Sequence, residues 1–191
     1  KEIERLVSAK TDEMPFPIAD GIGSAKVAAD ALDRYVEFAK KTIDIRLNGV
    51  KVVVDCANGA AFKATPQALR ELGAEVIALY DQPDGININR NCGSTYPQDL
   101  QKAVLGHKAQ LGIAHDGDAD RLIAVDEKGR LVDGDQIMVV CATYLKNRAL
   151  LDNNSVVVTV MSNMGLHVAL DRAKINVVQT QVGDRYVFEK M

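Results

Sequence analysis

Residues 112–126 read GIAHDGDADRLIAVD. Three carboxylates, Asp116, Asp118 and Asp120, alternate with single small residues, and Arg121 follows at once. Like charges at that density repel, so the stretch needs solvent, an internal cation or a metal ion. An extended chain would set same-face side chains about 6.6 Å apart, too far for three oxygens to share one ion. The chain must therefore curl. Gly117 and Ala119 are small enough to allow it, and Gly117 is free to take a positive φ. Three hard oxygens suit Mg²⁺ or Ca²⁺ rather than a soft metal, and Mg²⁺ keeps its remaining octahedral positions for water or phosphate. Arg121 is placed to grip a phosphate in a two-pronged way; the plainer alternative is a salt bridge to a neighbouring aspartate. Metal, guanidinium and open coordination together point to phosphoryl chemistry, which works mostly by positioning and charge stabilisation.

Two other readings compete. With Asp116 as position 1 of a calcium-binding loop, Asp118 and Asp120 fall at positions 3 and 5, Ile123 at 8 and Glu127 at 12. That matches a calcium-binding structural module, but position 6 is Arg121 where such a loop needs Gly, and the flanks read as strands. The other is a solvated acidic turn with no ion. Elsewhere the chemistry is thinner. Asn58–Gly59 is most simply a turn. His115 beside the cluster is more often structural than a ligand or base, and His107 and His167 lie in helical segments. No nucleophile has a base beside it.

Around the cluster, strands and helices alternate. Ser24 is placed to cap a helix over 25–42. VKVVVDCANGAA reads as a buried strand ending in a Gly turn, KATPQALREL as a helix stopped by Gly73, and AEVIALY as the next strand. DQPDGININRNCGSTYP is a long polar loop, a length more often functional than idle. PQDLQKAVLGHK is a helix, AQLGIAH a strand and RLIAVDEKGRLV a hairpin turning at Glu127–Gly129. DGDQIMVVCATYLKNRALL is an amphipathic helix with Asp133 or Asp135 near its cap. SVVVTVMSNMGLHVALDRAKINVVQTQV then repeats the pattern of GVKVVVDCANGAAFKATPQALRELGAEVIALY about a hundred residues earlier. The expected fold is α/β, a mostly parallel sheet with packed helices, followed by the beginning of a second, similar α/β unit. The expected organisation is a linker over 1–23, where MPFP disfavours a helix, a metal-loop domain over 24–151, and the start of the next domain over 152–191. In such sheets ligands gather beyond the carboxyl ends of the strands, where CANGAA, HDGDADR and VMSNMG fall.

The totals exclude some classes. A net charge of −3 gives no general pull toward nucleic acid or acidic lipid, and the chain has no Trp for base stacking. No apolar run reaches the roughly 18 residues of a membrane span, and no signal peptide opens the chain. Cys56, Cys92 and Cys141 form no CxxC pair and read as small buried thiols of a reducing, cytoplasmic compartment. The chain opens on Lys1 and closes on GDRYVFEKM, which reads as the start of a helix; a fragment of a longer protein is expected.

DGDADR resembles the metal loop of the α-D-phosphohexomutases, usually written DGDGDR. VVVDCANGAA, LRELGAEVIAL, PDGININRNCGST, VDGDQIM, TVMSNMGL and VGDRYVFEKM extend the resemblance over nearly the whole chain, and the last two are most similar to the glucosamine branch. The resemblance implies the second of four domains and the start of the third. It implies interconversion of glucosamine 6-phosphate and glucosamine 1-phosphate for cell-wall precursor synthesis, through a phosphoserine in a domain missing here and a bisphosphorylated sugar. It implies Mg²⁺ held by Asp116, Asp118 and Asp120, with Arg121 contacting phosphate and Arg185 of VGDRY near the substrate. Specificity for glucose or mannose phosphates is the alternative within the family. The implied partners are a phosphosugar and the missing domains, and the piece alone is expected to be inactive. Ala119 stands where the family's second loop glycine falls, and His115 where an apolar residue is common.

Overall fold

A computed structural model describes residues 2–9 and 16–191. The chain divides into two units, Lys1–Ala31 and Leu32–Met191. In the first, a short helix α1 (Glu2–Ser8) carries an ion pair between Arg5 and Glu2 at 2.8 Å. It occupies part of the stretch expected to be a linker; half of the MPFP motif, Met14 and Pro15, lies outside the described residues. The helix expected to start after Ser24 begins later, as α2 (Ala31–Lys40). Helices this short persist by burying an apolar face, and Val27 is 96% exposed whereas Val36, inside α2, is 1% exposed.

The second unit holds two sheets. The first runs β2–β1–β3–β4–β5, built from β1 (Lys51–Asp55), β2 (Glu75–Leu79), β3 (Leu111–His115), β4 (Leu122–Asp126) and β5 (Leu131–Val132). The β1 strand lies parallel to β2 and β3, while β3–β4 and β4–β5 are antiparallel. Its three central valines are buried on both faces, as an interior parallel strand requires. Val53 faces a cluster with Leu100 and Val104 of α4 (Gln98–His107); Val52 and Val54 join Cys56 and Ala74, packed by Leu69 of α3 (Ala64–Glu71). Helices on both faces hold the sheet rigid, and the carboxyl ends of β1, β2 and β3 open at one edge.

The repeated pattern is a repeated fold. The second sheet pairs β6 (Ser155–Thr159) with β7 (Asn176–Thr180) in parallel, around α6 (Met164–Arg172), just as β1 and β2 pair around α3. The two helix ends share one hydrogen-bond scheme: Ala74 N donates to Leu69 O at 3.0 Å, and Ile175 N to Leu170 O at 2.9 Å. In each, the second residue before the strand is left-handed, Gly73 at φ 99° and Lys174 at φ 54°. Between the sheets runs α5 (Gly134–Asn147), capped by Asp133 in a reciprocal box with Gln136. Met138, Val139 and Ala142 of α5 pack into the second core with Val158, Leu166 and Leu170. A last helix, α7 (Asp184–Lys190), follows β7. Cys56 and Cys92 are buried, as expected, but Cys141 is exposed on α5.

Gly112 in β3 lies directly beneath α4. A Cβ there would stand 2.5 Å from Val104 Cγ2 and 2.9 Å from Leu100 Cδ1. Gly112→Ala is expected to lower the unfolding free energy by about 1–3 kcal/mol in a urea titration. Gly134→Ala, where a Cβ would meet nothing within 4 Å, is expected to leave it unchanged or raise it.

Candidate metal centre

The loop between β3 and β4 carries the three aspartates. It curls, and one oxygen from each of Asp116, Asp118 and Asp120 lies within 4.8 Å of the other two. The means differ from the sequence expectation. Gly117 does not take a positive φ; Ala119 does, at 62°. The reason is contact. Gly117's carbonyl accepts the Ala60 amide at 2.8 Å, and a Cβ on Gly117 would fall 2.7 Å from Asn89 Nδ2 and from Ile88 Cδ1. A Cβ on Gly59 would lie 2.8 Å from Gly117 Cα and closer still to its carbonyl oxygen. Both glycines serve close backbone approach, and Ala119 makes the turn instead, at a steric cost of about 1–2 kcal/mol for an L-residue.

Three loops meet here. Residues 56–63 follow β1, 80–97 follow β2, and 116–121 follow β3. Ala57 and Asn58 both take left-handed φ, 53° and 47°. Asn58 Oδ1 accepts the Gln82 amide at 3.1 Å, and Asn89 N donates to Ala57 O at 2.9 Å. Ser94 N donates to the carbonyl of His115 at 2.8 Å. The long polar loop is thus pinned to the residue that precedes Asp116. The Asn58–Gly59 pair is a turn, as read, and also the surface on which the aspartate loop rests.

The electrostatics are uneven. Arg121 N donates to Asp116 Oδ1 at 3.2 Å, while its Nε stays 3.9 Å from both Asp116 Oδ2 and Asp120 Oδ1. The Arg121 side chain is 80% exposed, so neither pairing holds it, and its charge remains available to a third group. Burial pushes the Asp116 carboxyl up, but the Arg121 amide, a hydrogen bond with Asp120 and the nearby guanidinium outweigh it and bring Asp116 below the ordinary 3.8. Asp120 moves the other way, raised by burial, by that same hydrogen bond and by the charges of Asp118 and Asp116. A shared cation would relieve this repulsion directly.

His115 is structural in its contacts. Its Nε2 meets Thr65 Oγ1 at 3.1 Å, its Nδ1 has no partner among the described residues, and burial holds its pKa below 6.5. Arg185 lies on α7 with its Nε donating to Glu189 at 2.8 Å and its side chain 80% exposed. Asn163, in the expected ligand-edge turn of the second unit, caps α6 and donates its amide to Asp135 at 2.9 Å. Sequence reasoning missed Asp55. It is 0% exposed, with Oδ1 accepting the Ala57 amide and Oδ2 the Gly93 amide, both at 2.9 Å. Its signal was available: an acid ending a valine run is costly unless backbone donors await it.

The three carboxylates fit a hard divalent ion. Mg²⁺ holds its oxygens at about 2.1 Å, so opposite ligands sit about 4.2 Å apart. Asp118 and Asp120 are exposed, so rotation of their side chains would bring the oxygens to that spacing. The flanks, β3 and β4, are antiparallel strands, which is not the helix–loop–helix frame of the calcium-binding loop considered above.

Comparison with known proteins agrees with this architecture. Residues 33–129 match the family description "Phosphoglucomutase/phosphomannomutase, alpha/beta/alpha domain II", and residues 133–191 match its domain III. A phosphoglucosamine mutase of Pelotomaculum thermopropionicum is 56% identical over 190 residues, and one of Desulforamulus reducens is 55% identical. All of this chain is covered in both, and the chain spans 43% of the length of each. A crystal structure of a phosphoglucomutase/phosphomannomutase family protein from Burkholderia thailandensis superposes with a TM-score of 0.70 at 26% identity, covering 83% of this chain and 35% of that one.

Two substitutions test the loop's construction. Gly59→Ala is expected to destabilise the fold by at least about 1–3 kcal/mol, because backbone rather than a flexible side chain stands in the way. Ala119→Gly is expected to raise stability by up to about 1 kcal/mol, the relief of left-handed strain exceeding the added freedom of the unfolded chain. Chemical denaturation of the two variants beside the parent checks both signs.

Proposed function

The chain belongs to the phosphoglucomutase/phosphomannomutase family, and we propose that it supplies the metal-binding part of a mutase interconverting glucosamine 6-phosphate and glucosamine 1-phosphate. The convergence of three carboxylate oxygens within 4.8 Å at the carboxyl edge of the sheet carries this reading. The glucosamine substrate is supported by relatives above 50% identity that are named for that activity. Phosphoglucomutase or phosphomannomutase specificity is the second reading, favoured by the broader family description.

Asp116, Asp118 and Asp120 would hold Mg²⁺. When bound, the ion supplies positive charge for phosphoryl oxygens during transfer from, and return to, a phosphoserine outside these residues. Asp116 is the preset member, anchored by the Arg121 amide. Asp120 feels the charges of Asp118 and Asp116 and would gain from a shared cation. Arg121 extends an exposed guanidinium beside the carboxylates, in reach of a docking phosphate. Arg185 is a further candidate for the sugar phosphate. The bisphosphorylated sugar and the return of phosphate to serine follow from the family resemblance. On this reading the 191 residues alone turn over no sugar phosphate, and the complete enzyme works on cell-wall precursors in the cytoplasm.

The test is Asp118→Asn in the complete protein. Changes merely beside a metal ligand cost 10–100-fold, so loss of a ligand is expected to lower kcat on glucosamine 6-phosphate by at least about 100-fold. Unchanged turnover would remove the metal role. Faster turnover of glucose or mannose 6-phosphate by the parent enzyme would select the second reading.

A further inference from the structure

We propose that Asp55 is a positioning residue for the Asp116–Asp118–Asp120 loop, acting through the backbone of residues 57 and 93–94; this rests on the metal role proposed above. Asp55 ends β1 inside the core, fully buried. A carboxylate there loses its hydration, and burial raises its pKa despite two amide donors. Among the described residues no cation pairs with it. Its compensation is two backbone N–H groups, one on each oxygen.

Those two amides belong to the two segments that clamp the metal loop. Gly93 leads into Ser94, whose amide holds the carbonyl of His115, and a Cβ on Gly93 would stand 2.7 Å from that same oxygen. Ala57 accepts the Asn89 amide, and Asn89 abuts Gly117. Two residues beyond Asn58, Ala60 holds the carbonyl of Gly117. One carboxylate therefore joins both clamps, at a point shielded from solvent. Only a group with two acceptor oxygens can do this. An Asn of the same shape offers one oxygen and sets an NH₂ donor against the second amide. Since Asp55 touches no ligand oxygen itself, its effect reaches the site as loop geometry. A misplaced clamp would spread the three carboxylates and weaken cation binding.

The experiment compares Asp55→Asn with Asp118→Asn in the complete protein, using Mg²⁺ in activity assays and Mn²⁺ alone in water-proton relaxation titrations. In Asp55→Asn, half-saturating Mg²⁺ and the Mn²⁺ dissociation constant are both expected to rise about 10–100-fold. Excess Mg²⁺ restores kcat. A folded Asp55→Asn with parental Mn²⁺ affinity, or a loss of kcat that Mg²⁺ does not repair, overturns the proposal. If Asp118→Asn itself leaves activity and Mn²⁺ binding intact, the metal role has failed, and the proposal with it. Amide exchange on the unaltered protein covers the case in which Asp55→Asn does not fold. Coupling is reciprocal, so saturating Mg²⁺ is expected to slow exchange at Ala57 and Gly93 by at least about fivefold; unchanged exchange at both overturns the proposal.

Discussion

The approach of one backbone to another, Gly59–Ala60 against Gly117, is the constraint from which the rest of the site follows. The amide of Ala60 and the carbonyl of Gly117 can meet only because neither glycine carries a Cβ. That contact fixes the height of the aspartate loop above the sheet. It also decides where strain goes: the turn is made two residues beyond Gly117, at Ala119, which must accept a left-handed conformation. A loop held this way resembles a jig. Its side chains converge because its main chain has nowhere else to lie.

Four aspartates cluster within this region and divide into two kinds. Asp116, Asp118 and Asp120 crowd at the surface with one partly engaged arginine, so their charges are unresolved by the protein itself. Asp55 sits beneath them with its charge answered by main-chain donors. The same functional group thus serves once as unsatisfied chemistry and once as satisfied scaffolding. Solvent access and the supply of amides set the difference.

Much of the fold was legible because the chain obeys strong local rules. The valine run of β1 has the unbroken apolar pattern of an interior strand, Gly73 ends α3 with a positive φ, and Asp133 begins α5 with a reciprocal cap. The repeat survived in the structure down to its hydrogen bonds. What stayed hidden required knowledge of neighbours distant in sequence. The pattern of α5 shows that one side is apolar but not that Met138 and Ala142 serve the second sheet. Gly117 reads as a flexible turn residue until Asn89 and Ile88 are seen against it. Asp55 reads as the end of a strand until Gly93 arrives from 38 positions away. The start of α2 falls later than its pattern predicts because helical spacing alone does not show that Val27 is left exposed.

The aspartate loop joins two hydrogen-bonded strands and is tied along its length by Ala60 and Ser94. Its main chain is thus ordered before any ion arrives. Only carboxylate rotamers remain to be frozen, at roughly 0.5–1.5 kcal/mol for each side chain at most, so little of the capture energy is spent on shaping the binding surface. A cation held there, as proposed above, would meet a surface whose main chain needs no rearrangement to receive it.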